Sequence, residues 1–138
     1  MIAITDHDLP SSEELVGLYD SVGWSEYTKD PERLELSLSR SLRVVCARDG
    51  DTLVGLARVV GDGLTIIYLQ DILVAPSHQR QGIGARLISA ALEPFQDVRQ
   101  QVLLTDDEPR QRVFYEAMGF SEIRDVPDAQ LRAFVRFV

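Results

Sequence analysis

Hydrophobic and polar positions along the chain alternate in short blocks of changing period. Ile2 to Thr5 has the look of a short strand. Ser11 or Ser12 supplies a helix cap with Glu13 and Glu14 in the first turn, and Leu15, Leu18 and Val22 then recur at helical spacing until Gly23. Asp30-Pro31-Glu32 opens a second helix, with aspartate as cap and proline at the first helical position, and Leu34, Leu38 and Ser41 on its inner face. Arg43–Arg48 and Thr52–Val60 flank the turn Asp49-Gly50-Asp51 and predict a hairpin. After Gly61-Asp62-Gly63, residues 64–75 are apolar except around Gln70 and Asp71, which predicts a central strand buried on both faces. Gly82 to Glu93 carries Ile83, Leu87, Ile88, Ala91 and Leu92 on one helical stripe. Val98–Thr105 predicts a strand, and Asp107-Glu108-Pro109 starts a helix that runs to about Met118, with Gly119 as its stop. Phe120–Arg124 and Leu131–Val138 read as two final strands. The order β-α-α-β-β-β-α-β-α-β-β predicts an α/β (α+β) fold, a mixed sheet covered by helices, within one domain spanning residues 1–138.

Composition narrows the class. The 138 residues, 45% hydrophobic and 26% charged, are enough for one cored domain and unlike a disordered chain. No apolar run reaches the roughly 18 residues of a membrane helix, and the start has no basic flank with an apolar stretch. One cysteine, Cys46, excludes an internal disulfide, and two distant histidines argue against a metal site. Together these predict a cytoplasmic protein without metal or membrane partner. The net charge of −8 repels nucleic acid and leaves cationic partners favoured. An anionic ligand therefore needs a local site.

The segment Asp71-Ile72-Leu73-Val74-Ala75-Pro76-Ser77-His78-Gln79-Arg80-Gln81-Gly82-Ile83-Gly84-Ala85-Arg86-Leu87 offers one. It is a buried strand, a polar loop and a glycine-bearing helix start, where unpartnered N–H groups and the helix dipole favour an anion. His78, Arg80 and Arg86 add positive charge. A Rossmann fingerprint fails at Leu87, and the Gly-Lys-Ser/Thr of a P-loop is missing. On local pattern alone, a strand-to-helix turn that uses its glycines for tight packing is the lesser alternative.

Gln79-x-x-Gly82-x-Gly84 after Leu73-Val74-Ala75-Pro76 resembles the acetyl-CoA signature of the GNAT superfamily of N-acetyltransferases. Val113-Phe114-Tyr115-Glu116-Ala117-Met118-Gly119-Phe120 resembles a later block of that family, and the element order agrees over nearly the whole chain. The resemblance implies a GNAT fold whose mostly antiparallel sheet has strands 64–75 and 98–105 splayed apart. It implies that the amides of Gln79, Arg80, Gln81, Gly82, Ile83, Gly84 and Ala85 hold the pyrophosphate of acetyl-CoA. The backbones of Ile72, Leu73 and Val74 would pair with the pantetheine arm, an amide near Leu73 would polarise the thioester carbonyl, and Tyr115 would be the general acid. The implied activity is acetyl transfer to a primary amine of a small molecule by direct attack in a ternary complex. A CoA-binding module without transfer, and a protein or peptide N-acetyltransferase, are the alternatives.

Two positions depart from the family pattern. Glu108 stands where many relatives have asparagine, and Gln70, which cannot take a proton, stands where relatives often have a glutamate or histidine base. An ordered water is then the expected base. Asp71 either orients an amine or water or makes a structural hydrogen bond near a strand bulge. Tyr68 and Gln70 share a strand face, and Trp24 and Tyr27 either wall an acceptor pocket or simply pack. The terminal strand 131–138 predicts a sticky edge, covered either inside the domain or by a homodimer. Cys46 reads as a small buried hydrophobe.

Overall fold

The computed structural model describes residues 1–128 and 130–138. The chain divides into two compact units, Met1–Leu104 and Thr105–Val138.

The first unit is built on a five-stranded sheet in the order β1-β2-β3-β4-β5. The strands are β1 (Ile2–Thr5), β2 (Arg43–Asp49), β3 (Thr52–Gly61), β4 (Ile66–Val74) and β5 (Gln100–Leu103). The first four are antiparallel neighbours, and β5 joins β4 in parallel. The helices are α1 (Ser12–Ser21), the single turn α2 (Ser25–Thr28), α3 (Pro31–Ser39) and α4 (Ile83–Leu92). Helix α1 starts in a capping box, in which Ser11 Oγ accepts from the Glu14 amide and Glu14 accepts from the Ser11 amide. Asp30 caps α3 with Pro31 behind it, as its sequence predicts. The turn α2 was not legible in advance, because four residues carry no periodicity.

Two helical layers cover the sheet. Leu15, Leu18, Tyr19, Leu34 and Leu38 from α1 and α3 pack with Val44, Cys46, Leu53, Leu56 and Leu73. Helix α4 lies on β2, β3 and β4, burying Ile83, Leu87, Ile88 and Ala91. It approaches so closely at Gly55 that a Cβ there would stand 2.9 Å from Leu87 Cδ1.

Strand β4 buries residues on both faces by means of a bulge. Val59 opposes Leu69 and Arg58 opposes Asp71, so Gln70 is an extra residue, a β-bulge. Facing residues in a ladder share a side of the sheet. The bulge therefore hands the buried positions from the α4 side (Ile67, Leu69, opposite Gly61 and Val59) to the α1/α3 side (Asp71, Leu73, opposite Arg58 and Leu56). Without it, one parity would face one layer throughout.

The second unit holds α5 (Pro109–Ala117) and a 3₁₀ turn, Ile123–Asp125. Helix α5 closes in a Schellman motif: Phe120 N–H donates to Tyr115 O, Gly119 N–H donates to Glu116 O, and Gly119 takes the left-handed φ of 93°. The expected strands over 120–124 and 131–138 are corrected here: among the described residues of this unit there is no strand. The Phe120 amide is consumed by the helix stop, and residues 122–125 close on themselves through Asp125 N–H to Glu122 O. Residues 131–138 have strand propensity, but no described residue pairs with them, and a lone strand satisfies no backbone group. Leu131, Phe134, Val135 and Phe137 are exposed.

Candidate active site

Two features of the first unit meet on β4. The first is an open strand edge. Pairing with β5 runs from Ile66–Gln100 to Leu69–Leu103 and stops, so residues 71–74 pair only with β3. Ile72, Leu73 and Val74 thus present one unpaired backbone edge, the kind to which an extended ligand adds as a strand.

The second feature is the loop after it. Pro76–His78 makes one 3₁₀ turn, and Arg80 and Gly82 both take left-handed backbone, at φ 63° and 77°. For arginine that conformation costs on the order of 1 kcal/mol and needs surrounding constraint. Gly82 forms the N-cap of α4 with nothing within 4 Å of where a Cβ would stand. The first bond of the helix is Arg86 N–H to Gly82 O, at 3.2 Å. Among the described residues, no acceptor takes the N–H groups of residues 80–85. Consecutive free donors around a helix start are an arrangement that favours an anion. The Gln79 side chain folds back to donate to Val74 O at 3.0 Å, closing the loop onto the strand end.

The flanking cations are only partly available. His78 Nε2 lies 2.9 Å from Asp49 Oδ2 and its Nδ1 2.7 Å from Ser77 Oγ, while Arg86 donates to Ile2 O at 3.1 Å. Both side chains are thus tied to neighbouring parts of the fold, and the Arg86 guanidinium keeps its charge while doing so. Arg80 is exposed and has no partner among the described residues.

The other side of β4 carries a buried polar cluster. Asp71, 2% exposed, accepts from Arg58 Nε at 2.8 Å, Tyr19 Oη at 2.8 Å and Tyr27 Oη at 2.6 Å. Gln70 Nε2 donates to Tyr27 Oη at 3.0 Å. Burial, and then the Asp71 charge, push the Tyr19 and Tyr27 hydroxyls well above the ordinary phenol range, and the same two causes raise Tyr68. All three stay protonated as donors near neutral pH. Tyr19 meets Trp24 and Tyr27 edge-on and those two rings are tilted to each other, with ring centroids 5.1–6.1 Å apart. The structure thus brings Trp24, Tyr27, Gln70 and Asp71 together, with Tyr68 on the same face of β4. Asp71 is met by three donors, Arg58, Tyr19 and Tyr27.

In the second unit, Tyr115 is 8% exposed, with its ring edge-on to Phe114 and Phe120 at 5.1 and 6.2 Å. Burial and the charge of Asp106 raise its hydroxyl above the usual range. Glu108 is the N-cap of α5 but makes no side-chain cap bond.

The open strand edge and the helix-start donors are joined by a sequence correspondence. The family described as "Acetyltransferase (GNAT) domain" matches residues 40–122, more than half of the chain. The chain belongs to the GNAT acetyltransferase family. A GNAT-family acetyltransferase of Streptococcus pneumoniae TIGR4 is 40% identical, with 99% of this chain and 98% of that chain covered and a TM-score of 0.83. An uncharacterized ycf52-like N-acetyltransferase of Prochlorococcus marinus is 32% identical over 114 residues, 78% of this chain and 61% of that protein. AAC(6')-Iy, solved with the bisubstrate analogue CoA-S-monomethyl-acetylneamine, shares the fold at a TM-score of 0.74 and 18% identity, over 100% of this chain and 99% of that one. The chain spans about half the length of the curated relatives it matches. No helix among the described residues is long and apolar enough to cross a membrane.

Arg58 and Tyr19 escaped the sequence reading. Arg58 was detectable: a lone arginine inside Val54-Gly55-Leu56-Ala57-Arg58-Val59-Val60 must find a counter-charge if that strand is buried. Asp71 on the next strand supplies it. Tyr19 gave no such signal, because its partner lies 52 residues away.

Proposed function

We propose that this chain transfers an acetyl group from acetyl-CoA to a primary amine of a small molecule, within a ternary complex. The observation that carries the reading is the run of unpartnered amides at residues 80–85, set at the end of a strand with one free edge. The residues fit the cofactor. A pyrophosphate needs donors without side-chain obstruction, which the left-handed Gly82 and the start of α4 provide, and an amide-bearing arm needs a strand edge, which Ile72 to Val74 provide. Gln79, Arg80, Gln81, Ile83, Gly84 and Ala85 complete the binding segment. When bound, acetyl-CoA supplies an acetyl group activated as a thioester.

The chain's own residues have two tasks. One is to receive a neutral amine. An alkylamine with a pKa near 10.4 is mostly ammonium at pH 7, and removing the proton costs roughly 4–5 kcal/mol. Gln70 cannot take that proton, and Asp71 already accepts three hydrogen bonds, so the proton leaves to water at the mouth of the site. The other task is to hold a proton for the departing thiol group. Tyr115 Oη, kept protonated by burial, is the donor in this reading. Trp24, Tyr27 and Tyr68 give the acceptor side an aromatic, electron-rich character suited to a cation. The exposed apolar run 131–138 keeps a homodimer in the reading, and light scattering that gives the mass of one chain at micromolar concentration excludes it.

Release of CoA thiol from acetyl-CoA, followed with a panel of primary amines, tests the activity. We expect turnover with at least one amine, and a Tyr115→Phe variant with kcat roughly 10- to 1000-fold lower at nearly constant KM for acetyl-CoA. Tight acetyl-CoA binding with no thiol release on any amine would instead establish a binding module.

A further inference from the structure

The hydrogen bonds around Asp71 have a direction that can be followed residue by residue. Arg58 Nε–H can only donate, and the Asp71 carboxylate facing it at 2.8 Å can only accept. Tyr19 and Tyr27 each own one hydroxyl proton, and both direct it to Asp71, at 2.8 and 2.6 Å. With its proton committed, the Tyr27 oxygen can only accept from a further partner. Gln70 meets that oxygen at 3.0 Å and so must present its NH₂ group. The carbonyl Oε1 is then turned away from Tyr27, and among the described residues no donor takes it. An exposed glutamine with no such partner flips its amide freely and shows a ligand either a donor or an acceptor. This one is locked by a buried ion pair two hydrogen bonds away.

We infer that Gln70 Oε1 is the hydrogen-bond acceptor for the N–H of the amine substrate, and that Tyr27, Asp71 and Arg58 are positioning residues that hold the amide in that orientation. The inference rests on the acetyl-transfer reading above and adds a specificity rule to it. The bulge residue shows its carbonyl, so a head group that donates is accepted and one that only accepts, such as a carboxylate, meets repulsion. Because Gln70 is the extra residue of the bulge, it lies on the same side of β4 as Asp71 and reaches Tyr27. Trp24, Tyr27 and Tyr68 border that position, so an arylalkylamine matches both the rings and the carbonyl.

The test is calorimetry on the full chain with two probes that share one ring and differ at the head, phenethylamine and phenylacetate. Phenethylamine should bind at least tenfold more tightly. Gln70→Ala, at an exposed position, should weaken phenethylamine about five- to tenfold, the yield of one good hydrogen bond. Tyr27→Phe keeps the ring and removes the hydroxyl that locks Gln70; the freed amide can turn either end to a ligand, so phenethylamine should weaken only about twofold while phenylacetate binds more tightly than it does to the parent. Both changes should vanish when Tyr27→Phe is made on top of Gln70→Ala, because Tyr27 acts through Gln70. A merely structural Tyr27 would give losses that multiply in the double variant, and that result would overturn the inference. So would phenylacetate binding as tightly as phenethylamine, or no binding of phenethylamine. CoA release, assayed in parallel, separates the two claims. Release without coupling between Tyr27 and Gln70 defeats this inference alone, whereas coupled amine binding without release defeats acetyl transfer and leaves the amine site standing.

Discussion

Replacing Arg58 with methionine probes the buried centre of the first unit. Arg58 is 6% exposed and Asp71 2%, and they form one ion pair across β3 and β4. Arg58→Met keeps the aliphatic stem and its packing but leaves a buried carboxylate with only the Tyr19 and Tyr27 hydroxyls as partners. Removing one member of a buried pair costs about 3–5 kcal/mol, because the remaining charge loses its compensation while staying out of water. For a chain of this size that corresponds to a fall of roughly 10–20 °C in Tm. Urea titration followed by the fluorescence of Trp24, the single tryptophan, reads it directly, since that ring packs on Tyr19 and Tyr27 beside the lesion. Arg33→Met, at an exposed position of α3, is the control and should stay within about 0.5 kcal/mol. A loss below about 1 kcal/mol for Arg58→Met would refute the reasoning, since it would mean that the carboxylate reaches water or another cation without Arg58.

Two further outcomes follow from local geometry. Gly82→Ala places a side chain on a residue at φ 77°, with open space around its Cβ, so the protein should fold at a cost of about 1–2 kcal/mol while acetyl-CoA affinity falls at least tenfold by calorimetry; unchanged affinity would move the pyrophosphate elsewhere. Glu14 has its carboxyl lowered to about 2, by its hydrogen bond from Arg48 and then by that from the Ser11 amide. A depressed carboxyl gives stability that is complete above its unfolded value of about 4.3 and is lost as pH falls toward 2. For this partly solvated pair the amount is about 1 kcal/mol, and urea midpoints of Glu14→Gln and the parent should differ at pH 6 and converge near pH 2.

Much of the fold was written locally. The caps at Ser11 and Asp30, the turn at Gly50, the stripe of α4 and the stop at Gly119 each depend on residues within one or two turns of chain, and propensity and periodicity report such residues well. The binding segment was legible for the same reason. Strand end, loop and helix start are contiguous, and the left-handed conformation at position 82 asks for glycine. Contacts distant in sequence were not legible. Gln70 and Asp71 stood out as polar residues in an apolar strand, but only the pairing of β3 with β4 shows that one is the extra residue of a bulge and that the other accepts from Arg58, Tyr19 and Tyr27. A bulge is a mismatch between two strands, so neither strand encodes it alone. The commitment of His78 to Asp49 and of Arg86 to Ile2 O likewise depends on which backbone the fold brings near. Residues 120–138 mark the opposite limit. Their composition favours strand, yet a strand is a property of a pair, and among the described residues no second strand pairs with them.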